Sequence, residues 1–158
     1  MDHDVIEDLG RRQLTEFACR WAIESGGLRD AVDAQHLVEG LDRFCVWVEE
    51  NHDLPLHTAF APVLTGLQES LPRVALANRA CEPAVARDDL EWLELVERRG
   101  TSEAVVRDLE GRPRSVGLSP SILRHLRPGD WMRCRDAADE GLEVGACYPA
   151  ALREALLT

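Results

Sequence analysis

The chain has no lysine; its 18 basic residues are all arginine. Schiff-base chemistry and a phosphate-cradling loop lysine are therefore excluded on this polypeptide. The dinucleotide fingerprint G-x-G-x-x-G, the nucleophile elbow G-x-S-x-G and the zinc motif H-E-x-x-H are missing as well. No cofactor is expected, and the missing signatures lean against an enzyme. The five cysteines, Cys19, Cys45, Cys81, Cys134 and Cys147, contain no C-x-x-C pair. An odd cysteine count and an acidic start to the sequence, where a secretory leader would be basic, favour a reducing cytoplasm. No run reaches the roughly 20 apolar residues that a membrane span requires, so no membrane contact is expected. Aromatic residues make up only 5% of the sequence, and the formal charge of −11 argues against a general polyanion binder.

What remains is an ordinary globular composition, 45% hydrophobic and 30% charged over 158 residues. That is enough chain to bury a core in one domain or two small ones. Residues 4–25 fit an amphipathic helix with Asp4 and Glu7 at its start and Leu14, Phe17, Ala18, Trp21 and Ala22 on the buried face, ended by Gly26-Gly27. Residues 31–51 are the clearest periodic segment. Leu37, Leu41, Phe44, Cys45 and Val48 recur at helical spacing, and Trp47, beside Val46, is expected to be buried against a third element. His52-Asp53-Leu54-Pro55 breaks the pattern. A stripe from Leu56 through Phe60, Val63, Leu64, Leu67 and Leu71 follows, with Pro62 expected to kink or split it, Pro72 to start a last short helix, and Pro83 to close it. The result is an antiparallel helical bundle over residues 1–82.

Beyond Pro83 the rhythm changes from three-to-four residues to two. Leu93 and Leu95 alternate with polar neighbours, so residues 90–97 are expected to form a strand. AVVRDLEGRPRSVGLS fits a hairpin turning at Glu110-Gly111-Arg112, with Val106 opposite Val116, Ala104 opposite Leu118 and Asp108 opposite Arg114. The rival pattern makes 89–99 and 102–110 helices of a winged helix-turn-helix. In residues 113–135, Ser119 caps a helical turn that begins with Pro120, and Arg127-Pro128-Gly129-Asp130 is turn chemistry leading to a strand at Trp131. A second hairpin turns near Asp139-Glu140-Gly141, and residues 149–157 form a terminal helix. A helical turn wedged between strands closes small barrels such as SH3-like and OB-like modules, an analogy of fold that licenses no function. The expected class is α+β: the N-terminal bundle, then a small antiparallel β-barrel over residues 83–158 with a C-terminal helix.

Chemistry is sparse. Glu49, Glu50, His52, Asp53 and His57 gather polar ligands at a helix end, but their spacing matches no metal pattern, so no metal site is assigned. Cys134 and Cys147 would face each other if the last hairpin turned at Glu140-Gly141, and would point to opposite faces if it turned about Glu140 alone. Charge is regional: residues 1–84 hold 7 arginines against 15 acids, and residues 98–135 hold 9 arginines against Glu103, Asp108, Glu110 and Asp130. Arg112, Arg114, Trp131, Arg133 and Arg135 are the candidate binding surface, an aromatic among arginines on one sheet face. Two functions are carried forward. The first is a non-catalytic cytoplasmic interaction or regulatory module with a protein partner. The second is a nucleic-acid-binding small barrel that uses the arginine face.

Overall fold

A computed structural model of the chain describes residues 9–81, 89–137 and 141–157. Asp4, Glu7, Pro83, Asp139 and Glu140 lie outside that set. Helix α1 consists of an α-helical segment Arg11–Glu16, a π-helical turn Phe17–Trp21 and a last turn Ala22–Glu24. It buries Leu14, Thr15, Ala18, Cys19 and Ala22 and leaves Phe17 and Trp21 outside, which corrects the expected face. Small side chains let the helix approach its neighbours closely, so the face with the larger apolar residues is not the one that packs.

Helix α2 spans Ala31–His52, capped by the Asp30 side chain accepting from the Asp33 amide at 2.8 Å and ended by Asp53 in the left-handed region at φ 54. Its core stripe is Ala34, Val38, Leu41, Cys45 and Val48, while Phe44 and Trp47 are exposed, so the expected burial of Trp47 is overturned. Helix α3 runs without interruption over Leu56–Arg79, with both Pro62 and Pro72 inside it. Neither proline splits it, because the buried stripe continues from Leu56 through Ala77 and holds both halves against α2 and the sheet. The expected fourth helix is the end of α3. The α2 and α3 pair shares one core with α1, Trp131, Tyr148 and Leu152, so the expected antiparallel bundle over residues 1–82 does not stand apart from the sheet.

Strands follow at β1 Glu91–Arg99, β2 Glu103–Arg107 and β3 Pro113–Gly117, then the short helix α4 Pro120–Leu123, β4 Trp131–Asp136 and β5 Leu142–Tyr148. The two-residue rhythm beyond Pro83 is thus realised as strands, and the winged-helix alternative is not. A 3-10 turn Ala150–Leu152 and helix α5 Arg153–Leu156 end the chain, with Leu152 buried and Leu157 exposed. All strand pairs are antiparallel, in the order β3-β2-β1-β4-β5.

The sheet is open, with β3 and β5 as its two edges, so the expected barrel does not form. Its rims approach at one corner, where a Cβ on Gly141 would lie 2.7 Å from the Gly117 carbonyl oxygen. Away from that corner, α3 lies against β5. Cys147 stands opposite Met132 with its backbone turned away from β4, and the Asn78 side chain takes both groups: it accepts from the Cys147 amide at 2.8 Å and donates to the Cys147 carbonyl at 2.9 Å. One side-chain amide thereby replaces a neighbouring strand.

The first hairpin has the expected faces but a register moved by two residues: Ala104 is opposite Val116, and Val106 is opposite Arg114. The Asp108 amide donates to the Arg112 carbonyl at 3.1 Å, closing a loop of Leu109, Glu110 and Gly111 with Gly111 third at φ 84. The demand for a left-handed residue in the last loop position outweighs the charge pairing that suggested the other register. In the second hairpin, Arg133 faces Ala146 and Cys134 faces Val144, which leaves Gly145 as a bulge. Cys134 and Cys147 therefore lie diagonally on one face and not opposite one another.

Candidate interaction surface

The five candidate residues do not form one exposed platform. Arg112 sits in the β2–β3 loop, held by Asp108 at 2.9 Å and Glu110 at 3.4 Å. Arg114 is opposite Val106, on the same sheet face as Leu95, and pairs with Glu91 and with Asp136 at 3.3 Å. Arg133 alternates with Met132 and Cys134 and so projects from the other face, as does Arg135, which pairs with Glu143 at 2.6 Å. Trp131 is buried. The structure brings Trp131 and Arg133 into one layer, between the sheet and the helices, and separates Arg114 from them.

That layer is an aromatic and charged cluster assembled from four elements. Trp92 on β1 lies beside Tyr148 on β5, with centroids 4.8 Å apart, and the guanidinium groups of Arg20 and Arg133 sit 5.6 and 5.1 Å from its ring centroid. Glu24 on α1 accepts from the Tyr148 hydroxyl at 2.8 Å and faces Arg20 at 3.3 Å and Arg133 at 3.8 Å. Burial and the Glu24 carboxylate push the Tyr148 hydroxyl up, so it stays protonated and serves as a donor. Nearby, Glu94 is 5% exposed and accepts from Arg107 at 2.7 Å and Arg153 at 3.1 Å. Across the molecule, Asp130 is buried, taking the Arg127 amide at 2.7 Å and the Arg73 guanidinium. Burial raises the Asp130 carboxyl, and those two donors oppose the rise. These groups tie the helices to the sheet and are spent on one another.

The thiols of Cys19, Cys45 and Cys134 are not activated nucleophiles. Burial pushes Cys19 and Cys134 up to about 12, and burial with Asp42 and Glu49 pushes Cys45 up to about 11. The polar residues at the α2 terminus are dispersed: His57 turns to Asp42 at 3.0 Å, and His52 lies edge-on to Trp47 with centroids 5.2 Å apart. Among the described residues, no group of three or more His, Cys, Asp or Glu side chains is placed to hold a metal ion.

Sequence reasoning missed the exposed aromatics. The chain has four Trp, three Phe and one Tyr, and half of them are held at the surface of two helices: Phe17 at 37%, Trp21 at 59%, Phe44 at 39% and Trp47 at 50% exposure. They form two stacked pairs. Phe17 and Trp21 have centroids 5.2 Å apart on the π-helical turn, and Phe44 and Trp47 are 6.5 Å apart on α2. Their helical spacing, four and three residues, was the available signal, and it reads equally as a buried stripe. The surroundings of the second pair are acidic: α2 carries Asp33, Glu39, Asp42, Glu49 and Glu50 against Arg43. Comparisons of the chain with family models, curated proteins and solved structures give no match.

Proposed function

We propose that this protein is a non-catalytic cytoplasmic interaction module that docks a protein partner on its helical layer. The observation that carries this reading is the pair of surface aromatic stacks, Phe17 with Trp21 and Phe44 with Trp47. Large aromatics are the side chains that anchor protein interfaces, and their burial against a partner recovers apolar area left in water here. The acids along α2 favour a partner segment that presents apolar side chains flanked by arginine or lysine. The nucleic-acid reading has less support, because Arg112, Arg114 and Arg135 already face carboxylates and the sheet faces divide them. Among the described residues no helix is long and apolar enough to cross a membrane.

The test is a titration of the full chain with synthetic amphipathic helices of matched hydrophobicity and opposite net charge, together with single-stranded RNA and duplex DNA at low salt. Tryptophan emission should shift to the blue with the cationic helix alone. Trp47→Ala and Phe44→Ala should each weaken that binding about tenfold, the loss expected of an interface anchor. Binding that survives both substitutions, no binding of any helix, or saturable binding of RNA or DNA would overturn the proposal.

A further inference from the structure

We propose that Cys81 and Cys147 are an oxidisable thiol pair that closes into a disulfide by exchange with a low-molecular-weight disulfide. All five cysteines are free thiols, and the Sγ atoms of these two lie 3.9 Å apart, although 66 positions separate them in sequence. Cys147 is fully buried on β5, and its backbone is fixed by both hydrogen bonds to Asn78. Cys81 is half-buried just beyond the end of α3, its thiol resting on the Ala77 carbonyl at 3.5 Å. Forming the bond requires the sulfurs to close by roughly 2 Å. That movement falls on Cys81, which lies outside the helical ladder.

The order of events follows from access. Cys81 loses its proton and attacks one sulfur of the small disulfide, forming a mixed disulfide and releasing the first small thiolate, which takes up that proton. The Cys147 sulfur then attacks the Cys81 sulfur, loses its own proton and displaces the second small thiolate, which is protonated in turn. In sum, two protein thiols are oxidised by two electrons and one small disulfide is reduced to two thiols. The product clamps the end of α3 to the sheet edge that Asn78 already engages.

The experiment uses the full chain with oxidised glutathione, followed by unfolding, alkylation and cleavage after arginine. The expected product has lost the mass of two hydrogens and yields residues 80–87 linked to residues 136–153. Cys134 falls in a separate fragment because Arg133 and Arg135 flank it. Cys134→Ala should keep the link, Cys147→Ala should stop at glutathione on Cys81, and Cys81→Ser should give no link. The oxidised wild-type chain should unfold at higher urea than the reduced one, since a closed loop restricts the unfolded chain. Persistence of the mixed disulfide in the wild type, no reaction at Cys81, or a link containing Cys134 would each overturn the proposal. Circular dichroism checks that Cys147→Ala is folded. Where it is not, Cys81→Ser decides, and a link that forms without Cys81 refutes the assignment.

Discussion

Replacing Asn78 with alanine removes the side chain that satisfies the outer rim of β5 at Cys147. The Cys147 amide and carbonyl lose bonds of 2.8 and 2.9 Å in a residue with no solvent exposure, so water does not take over without an opening of the α3 and β5 contact. Stranding a buried polar group costs about 1–3 kcal/mol. Partial relaxation brings the expected loss for the two groups to roughly 2–4 kcal/mol. A suitable control is Asn51→Ala: Asn51 bonds the carbonyl four residues back at 2.9 Å, as Asn78 does to Val74 at 3.1 Å, but is exposed and engages no strand. The control should cost within about 0.5 kcal/mol of zero. Urea unfolding followed by tryptophan emission gives both numbers, and amide exchange at Cys147 gives the local one, with protection lost in Asn78→Ala alone. Equal costs for the two variants, or an unchanged exchange rate at Cys147, would refute the claim that a side chain completes this edge.

Gly111 and Gly141 both sit in the left-handed region, at φ 84 and φ 79, but only at Gly141 would a Cβ meet backbone, 2.7 Å from the Gly117 oxygen. Gly111→Ala should cost about 1 kcal/mol in thermal or urea unfolding, and Gly141→Ala at least about 1 kcal/mol more. Similar values would show that the corner contact of the two rims is not tight. The Asp108 carboxylate is held below its ordinary value by the Arg112 amide first and the Arg112 side chain after it. Its contribution is therefore present above the unfolded-chain value and is lost as pH falls through the lower folded value. A carboxyl titration by NMR should place Asp108 below a peptide reference, and a midpoint at or above that reference contradicts the loop geometry. Glu94→Gln should destabilise by roughly 1–2 kcal/mol, since two arginines lose a charged acceptor yet remain partly exposed. A neutral or stabilising effect in urea unfolding would count against that network.

Local rules reached far into this fold. The spacing of Leu41, Cys45 and Val48, the helix start at Pro120, the turn at Arg127 to Asp130 and the strand rhythm through Leu93 and Leu95 all depend on near neighbours and appear as read, although the Ser119 side chain makes no capping hydrogen bond. What failed depends on distant partners. The outer side of β5 at Cys147 is met by Asn78, which stands 69 positions earlier and carries no mark of that role in its own neighbourhood. Phe17 and Trp21 stay outside because small residues on the adjoining face pack better, a competition that hydrophobic spacing alone does not resolve. Alternation along single strands places the candidate arginines on one face. A bulge, a two-residue shift and the assignment of faces determined which of them meet, and the acids opposite them were invisible until the pairing was known. The partnership of Cys81 with Cys147 was likewise out of reach, because Cys81 follows a helix and Cys147 lies in the last strand.

The two rims of the sheet are guarded by different means. One is stoppered by an amide from a helix; the other, β3, is only five residues long, begins at Pro113 and ends at Gly117. A foreign strand laid along it would find one donor missing at its first residue and too short a track to grip. Polymerisation by strand addition is thereby discouraged at this rim by shortness and a missing donor.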